Sequence, residues 1–88
     1  MPQYPSLTRA LAEALVDLVW FLESADEDHM DQDDAVKALE GVAAVVDRLS
    51  PSQRGEFRHV VRAMTAAEAD PGRRGFLEAF PDGFGLVE

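Results

Sequence analysis

The sequence has 88 residues, 47% hydrophobic and 28% charged, with no cysteine and a formal net charge of −9. That length holds one domain, 1–88, with an economical core, and the apolar share is too high for a chain disordered throughout. The lack of cysteine excludes disulfides, thiolate metal sites and thiol nucleophiles, and the acidic field makes nucleic acid and anionic membranes unexpected partners. Residues 1–47 hold eleven acids against two bases while residues 48–88 hold six of each, so the front half carries the whole imbalance. Glu13 and Asp17 interrupt the first apolar stretch before it reaches the length of a signal peptide or a membrane span. A cytoplasmic protein is expected, and the abundance of Ala, Val, Asp and Arg beside the single lysine, Lys37, suggests a bacterial source.

Four helices are predicted in chain order. The first follows Ser6 as N-cap, with Leu7, Leu11, Leu15, Leu18 and Leu22 stacked on one side and Ala10, Ala14 and Phe21 widening the stripe. That side is the expected core face. The second opens at Asp31, with Asp33 and Asp34 in the turn where the helix dipole favours negative charge, and buries Ala35, Leu39, Val42, Val46 and Leu49. Gly41 lies inside it, off the apolar stripe. The third starts at Ser50-Pro51-Ser52-Gln53, which combines a capping box from Ser50 to Gln53 with proline at the first helical position. Its inward residues are Phe57, Val60, Val61, Met64 and Ala67. Asp70-Pro71 repeats the same pattern and begins a short fourth helix with Phe76, Leu77 and Phe80 inward, which Pro81 is expected to end. The glycine-punctuated tail, with Phe84, Leu86 and Val87, should fold back. The expected fold is all-α: a compact bundle of three long helices, a short fourth and a packed C-terminal tail, with consecutive helices as antiparallel neighbours.

Few constellations point to chemistry. Six of the nine residues from Asp26 to Asp34 are acidic. Against the calcium-loop template begun at Asp26, however, Met30 stands at a ligand position, Asp31 at the turn glycine and Lys37 at the bidentate glutamate. Glu56 and His59 make half of a di-iron ligand set, but His29, the other histidine, has no matching glutamate. The Ser6 and Ser50 hydroxyls have cap roles, Ser24 and Ser52 have no local base, and Gly83-Phe84-Gly85 lacks the rest of a nucleotide loop. No metal, no cofactor and no enzymatic activity are expected. Arg54, Arg58 and Arg62 form a basic stripe on the third helix, read as a solvated face paired to the acids of residues 26–34.

The feature that points to function is on the first helix. Val16 and Trp20 fall opposite the leucine stripe, among Arg9, Glu13, Asp17 and Glu23. An aromatic side chain ringed by acids has the composition of a binding hot spot. The alternative is that Phe84, Leu86 and Val87 of the tail cover Trp20. In size, acidity and helix count the chain is similar to the immunity proteins that neutralise colicin-type nuclease toxins, a likeness of shape and charge that includes no shared motif. The expected function is an acidic protein-binding module, of inhibitor, immunity or regulatory-subunit type. Its expected contact set for a basic partner is Glu13, Val16, Asp17, Trp20, Glu23, Asp26, Glu27 and Asp28. A homodimer in which Val16 and Trp20 meet their symmetry mates is the alternative.

Overall fold

Each helix begins where a side chain satisfies its first free amides. In a computed structural model that describes residues 6–25, 28 and 30–86, these are α1 (Leu7–Ser24), α2 (Gln32–Asp47), α3 (Pro51–Ala67) and α4 (Pro71–Gly83). The Ser6 hydroxyl accepts from the Arg9 amide at 3.0 Å, and the Asp31 carboxylate accepts from Asp33 at 2.8 Å and from Asp34 at 3.3 Å. Ser50 and Gln53 close the capping box in both directions, at 3.1 and 2.9 Å, and Asp70 accepts from Arg73 at 2.8 Å. All four starts coincide with the sequence signals because capping is settled within a few residues of chain.

The end of α4 differs from expectation. The helix runs past Pro81 to Gly83, since a proline this near the terminus removes only one hydrogen bond and the following turn closes around it. The Leu86 amide donates to the Pro81 carbonyl at 2.8 Å and the Gly85 amide to Asp82 at 3.4 Å, with Gly85 at φ +70°. These are the paired bonds of a Schellman motif, whose left-handed residue is normally glycine. The turn directs Leu86 back into the core, where it is fully buried. Val87 lies outside the described residues.

The main helix pairings are α3 with α4, α1 with α3 and α1 with α2. Thus α1 and α3 are the middle pair, and α2 packs more extensively on α1 than on its chain neighbour α3. Val16 and Val19 from α1, Val46 from α2, Phe57 and Val61 from α3, Leu77 and Phe80 from α4, and Leu86 form the core. The Phe57 and Phe80 rings meet at 5.7 Å. No strand occurs among the described residues.

The largest correction concerns α1. Its core side is Ala12, Val16 and Val19, flanked by Leu15, whereas Leu7, Leu11, Leu18 and Phe21 are 75%, 61%, 52% and 57% exposed. The helix is apolar on two sides, and α3 meets the side made of alanine and valine. Ala67, expected inward on α3, is exposed at its last position.

Candidate functional site

Because Val16 and Val19 face the core, Trp20 is carried to the edge of the interface with α4. Its ring lies 5.0 Å from that of Phe76, tilted by 50°. Phe76 and Phe80 of α4 and Phe84 at its C-cap follow at intervals of four, an edge contact of 5.8 Å leading to a stacked one of 4.6 Å. The ladder and Trp20 wall a groove of about 340 Å³ that Glu23 and Ser24 complete at the end of α1. Trp20 is half-buried against Phe76 of α4, and the tail residue Phe84 lines the same groove.

The acids around Trp20 are partly used by the fold itself. Arg73 holds Asp17 and pairs with Glu68 at 2.7 Å, with its guanidinium 6.0 Å from the Trp20 ring centroid. Burial works to lower the Arg73 pKa, but hydrogen bonds and charge from Asp17 and Glu68 outweigh it, so the value stands above the ordinary one. Glu13 pairs with Arg9 one helical turn away at 3.0 Å. Such partly exposed pairs each contribute up to about 1 kcal/mol.

Of the expected contact residues, therefore, Trp20 and Glu23 come together at the groove, and Asp28 is exposed. Glu13 and Asp17 are engaged within the chain. Val16 is corrected outright: it has no exposed surface and is unavailable to a basic partner or to a symmetry mate. Asp26 and Glu27 lie outside the described residues. Of the α3 arginines, Arg54 is corrected, since it donates to the Asp47 carbonyl at 2.8 Å, and Arg58 donates to the Leu86 carbonyl. Among the described residues no group of three or more His, Asp or Glu is placed to hold a metal ion, and no helix is long and apolar enough to cross a membrane.

A second surface was not expected from the sequence. Leu7, Leu11, Ala14, Leu18 and Phe21 succeed one another at spacings of four, three, four and three, and all are exposed. At about 100° per residue the charged side chain nearest the centre of this stripe is Asp17, about 80° away, and Arg73 holds it. Leu11 and Leu15 also line a groove of about 350 Å³ with Val45 and Leu49, which continues the apolar face onto α2. The spacing was the available signal: it is that of a helix seam, although none of the described residues covers the outer part of it. Comparisons with protein families, with curated proteins and with solved structures return no match.

Proposed function

We propose that the chain is a protein-binding module whose main contact surface is the outer side of α1. One observation carries this reading: four large apolar side chains stand more than half exposed on one helix face. Their exposed area is on the order of 500 Å², towards the upper end of the largest patch on an ordinary monomer, and patches of that size mark interaction sites. Covering it is worth on the order of 10 kcal/mol before the costs of association are subtracted. The test is Leu11→Asp combined with Leu18→Asp, used as bait beside the wild type in pull-downs from the source organism. The variant should keep its helicity and melting temperature and lose the protein that the wild type retains. If it unfolds instead, these leucines belong to the core and the reading fails.

The Trp20 groove favours a second reading, an inhibitor, immunity or regulatory subunit that takes a basic partner. Aromatic walls with Glu23 at the rim suit a cationic side chain, and the net charge of −9 would speed its approach. The placement of Arg73 over Trp20 is an example of the same contact within the chain. Complexes of this kind should form more slowly as salt is raised, and Trp20→Ala should speed their dissociation.

A further inference from the structure

We infer that the outer face of α1 is covered by a second copy of this chain, the two α1 helices pairing antiparallel about a two-fold axis at Ala14. This rests on the reading of that face as a protein-binding surface and names its occupant. The first argument is register. Spacings of four and three sustain a stripe that recurs every 3.5 residues or so, which is what a helix needs to keep one seam against another helix.

The second argument is self-complementarity. Measured from Ala14, the large residues lie at −7, −3, +4 and +7. Reversing the helix therefore sets Leu7 against Phe21 and Leu11 near Leu18 of the other copy, as an isologous contact requires. The small Ala14 at the axis lets the two backbones approach.

The third argument is charge. Two copies that each carry −9 can meet only where carboxylates are not forced together, and the carboxylate nearest the stripe, Asp17, stands at its flank about 80° from the centre and is held by Arg73. A basic partner, in contrast, would gain nothing electrostatically from this particular face. The fourth is area: two such faces closed on each other bury on the order of 1,000 Å² from the four large residues alone, about the lower bound for a specific interface, and Val45 beside the seam adds to it. An association in the micromolar range is the expectation for that size.

The test is sedimentation equilibrium of the full chain up to about 200 µM, at about 50 mM and about 500 mM NaCl. The expected result is a monomer–dimer equilibrium that tightens as salt rises, because screening relieves like-charge repulsion. This is opposite in sign to the salt response of a basic partner. Leu18→Asp should weaken the dimer by ~100-fold or more, as the loss of a central apolar contact does, with native helicity retained. Since the chain has no cysteine, Ala14→Cys supplies a probe of the axis: oxidation should yield a covalent dimer, while Ala43→Cys, on an exposed part of α2, should not, and a mixture of Leu7→Cys and Phe21→Cys chains should give the mixed disulfide, as only antiparallel helices do. A chain that stays monomeric at both salt concentrations overturns the inference, as does a dimer that Leu18→Asp leaves intact. If the chain is monomeric but the α1 variants still lose a captured protein, the occupant is wrong and the protein-binding reading stands. If the variants lose nothing either, both fail.

Discussion

The Trp20 and Phe76 rings, 56 residues apart in the chain, meet at 5.0 Å and tie the end of α1 to α4. A half-buried tryptophan in such a contact contributes to folding whatever else it does. Trp20→Ala should therefore destabilise the isolated protein by about 2 kcal/mol, below the 3–5 of a fully buried aromatic. Phe76→Ala should cost a similar amount, and the double variant less than the sum, by about 0.5–1.5 kcal/mol for the lost ring pair. Urea unfolding of the four proteins checks this, and strict additivity would mean that the rings do not interact.

Val46 and Val36 stand on the same helix with opposite surroundings, one 1% exposed in the core and the other 50% exposed. Val46→Asp places an unpaired carboxylate among apolar side chains and should cost several kcal/mol, enough to unfold a domain with a total stability of about 5–10 kcal/mol. Val36→Asp should stay within about 0.5 kcal/mol of the wild type. Thermal melts followed by circular dichroism separate the two, and a native melting temperature for Val46→Asp would contradict the assigned core.

Ser50→Ala should cost about 1 kcal/mol, because the Gln53 amide loses its side-chain acceptor. Ser52 lies exposed within the first turn and is not the cap. Ser52→Ala should therefore leave stability nearly unchanged in the same denaturation measurement, and equal losses at the two positions would contradict the capping box.

Two glycines should respond with opposite signs. Gly85 at φ +70° holds the turn that returns Leu86 to the core, so Gly85→Ala should destabilise by about 1 kcal/mol. Gly41 is a helical residue, and a methyl group added there would meet nothing within 4 Å. Gly41→Ala should stabilise by about 0.5–1 kcal/mol through helix propensity and the loss of unfolded-state freedom. Chemical denaturation of both variants reads the two signs directly.

The helix starts were legible in the sequence because each depends on one short-range bond: Ser6, Asp31, Ser50 and Asp70 each accept from amides two or three residues ahead. The inward residues of α2, and most of those of α3 and α4, were legible for a related reason, since each of these helices has a single apolar stripe to bury. Helix α1 has apolar residues on two sides, and periodicity shows which side chains share a face without showing which face meets a neighbour. Only the packing of α1 between α2 and α3 turned Ala12, Val16 and Val19 inward. The same packing moved Trp20 to the boundary with Phe76 and left Leu7, Leu11, Leu18 and Phe21 in water. Arg73 likewise reaches Asp17 across 56 residues of sequence, a pairing that no local pattern encodes. Caps and stripes are properties of one segment, whereas the choice of buried face minimises the exposed apolar surface of all four helices together, and that is settled by tertiary structure alone.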